Sequence, residues 1–186
     1  MLKSQKPVTT VILTHSDGDH VNGLAAFPTG LTIIAHEGNK KEQEAAISAG
    51  GRGAPPADKI PTFLPDQKIV FTGDIIAAQR PDPLIHLEKN GSSEGWITTT
   101  KGIVALKADQ FVPGHGDVQT KAGIEKRLTD TEAKRATIKE LVGQGKSLDE
   151  IKAAVGDPPA APAGGRGPNF ASFTEVVYQE LTKKRG

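Results

Sequence analysis

Four side chains that can bind a metal ion fall within a short run of the sequence. They are His15, Asp17, Asp19 and His20, in the run Thr14–His20 (THSDGDH). Carboxylates this close repel one another, and a divalent cation removes the conflict by supplying positive charge. Imidazole and carboxylate ligands suit zinc, iron or manganese. A solvated turn is the alternative, because Asp and Gly favour turns, so the run alone leaves both interpretations open.

Two later segments each place a ligand-type residue beside glycine at the end of an apolar run. Phe71–Asp74 (FTGD) contributes Asp74, and Val112–Gly116 (VPGHG) contributes His115. Strand ends that share one edge of a sheet bring together residues from distant sequence, and glycine lets the backbone approach closely. The three segments together predict a metal cluster at a sheet edge.

The elements that must position these residues alternate between strand and helix. Apolar, β-branched runs predict four strands, at Thr9–Thr14, Leu31–Ala35, Lys68–Thr72 and Gln110–Val112. A loop with a short helix separates the first two, and Gly51–Pro65, rich in Gly and Pro, is predicted to be a surface loop. Helices are predicted at Asn39–Ala49, from Ser92 or Ser93 to about Lys107, over Thr120–Gly143, from a capping box at Ser147–Glu150, and at about Ala171–Lys183. This alternation favours an α/β layered domain.

Composition limits the partners of the chain. Its 186 residues, 36% of them hydrophobic, suffice for one domain with its own core. A net charge of +1 gives no electrostatic footprint for nucleic acid or an anionic membrane, so a small-molecule substrate is the expected partner. Without cysteine, nitrogen and oxygen must hold any metal. No segment approaches membrane-spanning length and Met1–Val8 is not an export signal, so we expect a soluble chain of unspecified compartment.

The three motifs, in this order, resemble those of the metallo-β-lactamase superfamily. Its usual first motif is HxHxDH, followed by a metal-bridging Asp and a late His; the resemblance covers most of Val8–Val118. It implies a metallo-β-lactamase-like αββα sandwich, incomplete in its N-terminal half. We expect a single domain over 1–186, with the metal-site core at 1–118 and C-terminal helices at 119–186, which include a Pro/Gly-rich loop at 157–168.

Carried over by position, the resemblance implies two metal sites. His15 and Asp17 would bind the first metal, while the second would be bound by Asp19, His20 and His115. Asp74 would bridge the two. The implied cofactor is Zn²⁺, as one or two ions, with manganese or iron as alternatives. Asp19 is implied to be the catalytic residue that orients the attacking water and moves its proton.

The sequence departs from the family pattern in three ways. Asp17 stands where the family has its second His, which should weaken the preference of the first site for zinc. Relatives have another His before FTGD, but none lies between His36 and Asp74. His36 is the only candidate replacement, with a plain polar strand-end residue as the alternative. The strands that precede the motif strand in relatives are also missing, which would leave an exposed sheet edge.

The resemblance implies hydrolysis of an ester, thioester, lactone, amide (including β-lactam) or phosphoester bond by a metal-activated water. The motifs are closer to the general hydrolases of the superfamily than to its antibiotic-degrading branches. One alternative is a metal-binding module of the same fold with little or no activity. Another is a fragment that needs a partner chain, or forms an oligomer, through the exposed sheet edge.

Three further residues have both a functional and a structural interpretation. His86 can line a substrate pocket or lie on a surface loop, and Arg80 can contact an anionic substrate or remain solvated. Trp96 falls at helical spacing with other apolar residues, so we expect it in the core and not in a substrate platform.

Overall fold

The computed structural model describes residues 6–15, 17–35, 37, 62–87, 91–157 and 170–183. The predicted helix at Asn39–Ala49 and the candidate ligand His36 lie outside these residues. Most of the predicted loop 157–168 also lies outside them.

The strands of the described residues form two sheets. β1 (Thr10–Ile12) and β2 (Thr32–Ile34) make a parallel pair, and the second sheet has the order β3 (Thr62–Leu64), β4 (Ile69–Ala77), β5 (Gln110–His115). β3 runs antiparallel to β4, whereas β5 runs parallel to it. The parallel β4–β5 pair requires a helical crossover, which confirms the predicted α/β class.

Helices occupy the connections and the C-terminal part. The elements are α1 (Gly18–Val21), a 3₁₀ helix at Asn22–Ala26, α2 (Ser93–Ala105), α3 (Lys121–Gly143), α4 (Leu148–Val155) and α5 (Phe173–Thr182). Hydroxyl side chains cap the last four by accepting a backbone N–H bond, from Ser92, Thr120, Ser147 and Ser172. The predicted capping box at Ser147 is confirmed, and Ser172 forms a second one.

Two predictions about the strands are wrong. Thr62–Leu64 was expected within a surface loop but pairs with β4 as β3, through a turn in which the Lys68 N–H donates to the carbonyl of Pro65. β4 was expected to end before Asp74 but continues to Ala77. In both places pairing with a neighbouring strand decides the conformation, and local composition does not record it.

The core lies between the three-stranded sheet and helices α2–α5. Its fully buried side chains come from β4, β5 and each of these helices, and include Val70, Ile76, Phe111, Ile124, Ile138, Ile151 and Val177. Each contributes about 1.5–3 kcal/mol on burial. The β1–β2 sheet differs, because Ile12, Ile33 and Ile34 are 42%, 53% and 50% exposed. The core therefore fixes β4 and β5, which carry two of the predicted ligands.

Candidate metal centre

The structure brings the six predicted ligands together from three segments. His15 and Asp17 follow β1, Asp19 and His20 lie on α1, Asp74 lies within β4, and His115 ends β5. Asp17 is the N-cap residue of α1, but its side chain makes no capping hydrogen bond. The short helix instead turns the side chains of Asp19 and His20 towards the other sheet.

His15 lies at the buried side of the cluster. Its ring is fully buried, and its Nε2 atom is 3.6 Å from Asp74 Oδ2 and 3.7 Å from Asp17 Oδ2. Nε2 has no hydrogen-bond partner among the described residues, whereas Nδ1 lies 2.9 Å from Thr14 Oγ1. If Nδ1 carries the ring proton and donates it to Thr14, the Nε2 lone pair points into the cluster, as a metal-ligating imidazole requires.

His20 and His115 form the more exposed side of the cluster. Their Nε2 atoms lie 3.3 Å apart. Asp74 Oδ1 is 3.3 Å from His20 Nε2 and 3.6 Å from His115 Nε2. Asp19 Oδ2 is 3.4 Å from the first of these nitrogens and 3.0 Å from the second. Two imidazoles and two carboxylates thus surround one small volume.

These separations fit a metal ion. Metal–ligand bonds of about 2.0–2.2 Å place the ligands of a tetrahedral ion roughly 3.3 Å apart. Within the part of the chain that the structure describes, two sets of three ligand atoms lie within 4.8 Å of one another: His15, His20 and Asp74, and Asp19, His20 and His115. The buried His15 Nε2 would otherwise lack a hydrogen-bond partner, which is costly for a polar atom. The donor set therefore suits a divalent ion, and His20 belongs to both groups.

Burial tunes His20 for this role. Burial, together with the positive charge that His15 and His115 can carry, lowers the pKa of His20 below its usual value, although Asp74 and Asp19 oppose the shift. The ring is therefore more readily neutral near pH 7, and a neutral ring is the form that binds metal.

Two glycines make room for the cluster, Gly114 within the β4–β5 sheet and Gly73 where this sheet approaches the residues after β1. A Cβ atom on Gly114 would lie only 1.9 Å from Asp74 Oδ1, so no other residue fits without moving the carboxylate. Gly73 has a positive φ of 52°, and a Cβ there would lie 3.0 Å from the side chain of Thr14. The glycines of FTGD and VPGHG therefore make room for the cluster, as their positions beside the ligands suggested.

Comparisons with known proteins give similarity at the level of structure. No protein-family profile matches the sequence, and no curated protein matches it. A metallo-β-lactamase from Pontibacter korlensis is similar at a TM-score of 0.54 and 17% identity, over 70% of this chain and 72% of that one. The metallo-β-lactamase FIM-1 from Pseudomonas aeruginosa, in its mono-zinc form, gives 0.54 and 20%, over 69% and 68%. The chain has a metallo-β-lactamase fold.

A third solved structure extends the comparison to the whole chain. A double mutant of the sec-alkyl sulfatase PisA1 is similar at a TM-score of 0.61 and 15% identity, over 97% of this chain. The C-terminal helices of this metallo-β-lactamase fold therefore have counterparts there, although the chain spans only 42% of the sulfatase. Among the described residues, no helix combines the length and apolar character of a membrane span.

The structure places the three remaining predicted residues outside the cluster's two ligand groups. His86 is buried and therefore does not lie on the surface. Its ring packs edge-to-face against Phe170, with the ring centroids 4.7 Å apart. Arg80 is exposed in the turn after β4. Trp96 is buried in the core as predicted, but its indole Nε1–H also donates to the carbonyl of Ile75, at 2.7 Å. Sequence patterns indicated the burial of Trp96 and gave no sign of this bond.

Proposed function

We propose that this chain is a metal-dependent hydrolase that acts at the His15, Asp17, Asp19, His20, Asp74 and His115 cluster. The observation that carries the proposal is the convergence of these side chains around a buried imidazole nitrogen with no hydrogen-bond partner among the described residues. A divalent ion bound there would lower the pKa of water enough for attack near neutral pH and polarise the substrate oxygen.

Exposure separates the roles of two carboxylates. The side chain of Asp74 is 9% exposed and contacts all three histidines, which suits a ligand shared by both parts of the cluster. The side chain of Asp19 is 58% exposed and reaches both His20 and His115. Asp19 can thus orient a water at the solvent side and pass its proton to bulk solvent, so we assign it the catalytic role.

The proposed substrates share an electrophilic centre next to an oxygen that a cation can polarise. They are esters, thioesters, lactones, amides (including β-lactams) and phosphoesters. The alkyl sulfatase adds sulfate esters to this class, because its similarity covers nearly all of this chain. Zinc is the proposed cofactor. Manganese or iron is the alternative at the first site, where the Asp17 carboxylate stands in place of a histidine nitrogen.

The test combines metal analysis with a substrate panel. Purified protein is analysed for bound metal before and after chelation, then assayed on chromogenic ester, lactone, phosphodiester, sulfate ester and β-lactam substrates. We expect bound zinc, and hydrolysis that chelation abolishes and added zinc or manganese restores. His86→Gln is the matched control, because it removes a histidine outside both ligand groups. Turnover that survives complete removal of metal would refute the proposal.

One observation favours a second candidate, a metal-binding module with little activity. His20 is common to both ligand groups among the described residues, and one imidazole nitrogen binds one ion. The tighter site would then be Asp19, His20, His115 and Asp74. Metal stoichiometry separates the candidates: two ions per chain favour the hydrolase, and one ion without turnover favours the module.

The exposed apolar side chains of the β1–β2 sheet favour a further alternative, in which the chain acts together with a partner chain. We propose that this partner is a second copy of the same chain. Light scattering after size-exclusion chromatography should then give a dimer that Ile33→Lys dissociates. A monomer at all concentrations would exclude this alternative.

A further inference from the structure

β4 is irregular at the residue that it contributes to the cluster. Gly73 pairs with Pro113 and Ala77 pairs with His115. Three residues of β4, Asp74–Ile76, therefore lie opposite one residue of β5, Gly114. Such bulges redirect a side chain and interrupt the regular backbone pairing of a strand. The conformation that aims Asp74 at the histidines therefore needs support from outside the β4–β5 ladder.

Trp96 gives this support to the residue next to Asp74. Its indole Nε1–H donates to the carbonyl of Ile75 at 2.7 Å, and this bond is buried. A buried carbonyl that has no hydrogen-bond partner destabilises the folded protein, so the conformation that keeps this bond is favoured. The bond also has direction, because a rigid indole donor fixes the plane of the peptide group that it contacts. The peptide between Ile75 and Ile76, one residue beyond Asp74, is thus held by α2.

The N-terminal end of α2 is itself anchored. Ser93 donates its backbone N–H and its hydroxyl to the carboxylate of Glu180 on α5. Arg135 on α3 donates its Nε–H to the Ser93 hydroxyl at 2.8 Å and reaches Glu94 at 2.7 Å. Ser93 is fully buried, so its contacts lie inside the helical layer, whereas the bond between Arg135 and Glu94 is exposed. Trp96, one turn further along, is fixed relative to both helices.

We propose that Trp96 is a positioning residue for Asp74, because its indole N–H holds the β4 bulge that places this carboxylate between the histidines. The inference rests on the proposed function, since it concerns the same metal site. With this role of Trp96, the helices after β4 contribute to metal binding indirectly, although none of them supplies a predicted ligand. Hydrogen bonds that orient metal ligands change metal affinity by about 10–100-fold when removed, and the bond from Trp96 acts on the backbone next to such a ligand.

Trp96 is the only tryptophan in the chain, which permits a test at one atom. Expression in a tryptophan-requiring host can replace it with 3-benzothienylalanine, in which sulfur takes the place of the N–H group and the ring shape is kept. 5-Fluorotryptophan is the matched control, because it keeps the N–H donor. Zinc affinity is measured for both proteins by competition with a chromogenic chelator, and folding stability by denaturant titration.

We expect the benzothienyl protein to bind zinc about tenfold or more weakly than the fluorotryptophan protein. Ile103→Val, a core change in the same helix, separates this effect from stability: it should lower the denaturation midpoint and leave zinc affinity unchanged. Equal affinity in the two labelled proteins, or an equal loss in Ile103→Val, would overturn the role of Trp96. Failure of the unlabelled protein to bind zinc would instead overturn the proposed function, and this inference with it.

Discussion

The Nε2 atoms of His20 and His115 lie 3.3 Å apart, although 95 positions separate the two residues in sequence. His20 lies on the helix that follows β1, and His115 ends a strand of the other sheet. No backbone strand pairing joins the two sheets among the described residues, and the side-chain cluster connects them. A bound ion would therefore stabilise the relative placement of the sheets as well as supply chemistry.

His115→Ala should remove most of the bound metal. The substitution deletes the nitrogen that contacts Asp19, His20 and Asp74, and leaves three ligands for the same ion. Elemental analysis after dialysis measures the loss. Zinc content should fall to a small fraction of the original, whereas His86→Gln should keep it. Unchanged metal content in His115→Ala would show that the assigned ligands are wrong.

Gly114→Ala should disrupt the cluster without deleting any ligand. Its Cβ atom would lie 1.9 Å from Asp74 Oδ1, so the carboxylate must move away from His20 and His115. Zinc affinity and hydrolysis should both drop by at least about tenfold. Gly102→Ala is the matched control, because its Cβ meets nothing within 4 Å on α2. It should keep metal and gain about 0.5–1 kcal/mol of stability; full zinc binding by Gly114→Ala would contradict the geometry.

The sequence predicted that these side chains would converge, because the signals for their placement are local. A strand followed by THSDGDH places four ligand-type side chains within six residues, and the Gly-flanked residues Asp74 and His115 supply the other two. The Ser147 capping box and the buried face of α2 follow from spacing for the same reason. These features depend on residues a few positions apart, which a single sequence records.

What the sequence did not predict depends on distant partners. β3 forms only because β4 is available to pair with it, and the Asp74 bulge reflects a register between β4 and β5. The bond from Trp96 to Ile75 joins residues 21 positions apart through the placement of a helix. Spacing patterns depend only on residues that are close in sequence. The burial of Trp96 was therefore predictable, whereas its bond to Ile75 was not.

A partly buried group of charged residues should determine how the stability of the helical layer changes at acid pH. Lys134 Nζ donates to Asp82 and Asp157 at 2.7 Å each, and Ser172 Oγ donates to Asp157 at 2.9 Å. Burial by itself would raise the pKa of Asp157, but the hydrogen bonds from Lys134 and Ser172 outweigh it and leave the pKa below its usual value. The stabilisation is thus present above the unfolded pKa of about 3.9 and is lost as pH falls through the folded value.

Lys134→Met should therefore change both the size and the pH dependence of stability. At pH 7 the free energy of unfolding should fall by about 2 kcal/mol, less than the roughly 3–5 kcal/mol of a fully buried pair because Lys134 is partly exposed. Between about pH 5 and pH 2 the variant should lose less stability than the original protein. Urea titrations across this range measure both effects. Lys126→Met, which breaks an exposed pair with Asp130, should cost only about 0.3–0.5 kcal/mol at pH 7.

Asp17→His tests whether metal binding at the first site, which holds Asp17, is limited by its ligands. Asp17 Oδ2 lies 3.7 Å from His15 Nε2, and the first site otherwise has only His15 and the shared Asp74. Such an oxygen-rich site should hold zinc weakly, so activity of the original protein should be slow and should rise with added zinc or manganese.

Calorimetric titration of Asp17→His with zinc should show that the second zinc equivalent binds more tightly than in the original protein, because a nitrogen ligand replaces a carboxylate. Asp17→Asn, which removes the charge without adding an imidazole, should not tighten it. Fast turnover by the original protein, unaltered by added metal or by strong chelation, would rule out the proposed mechanism.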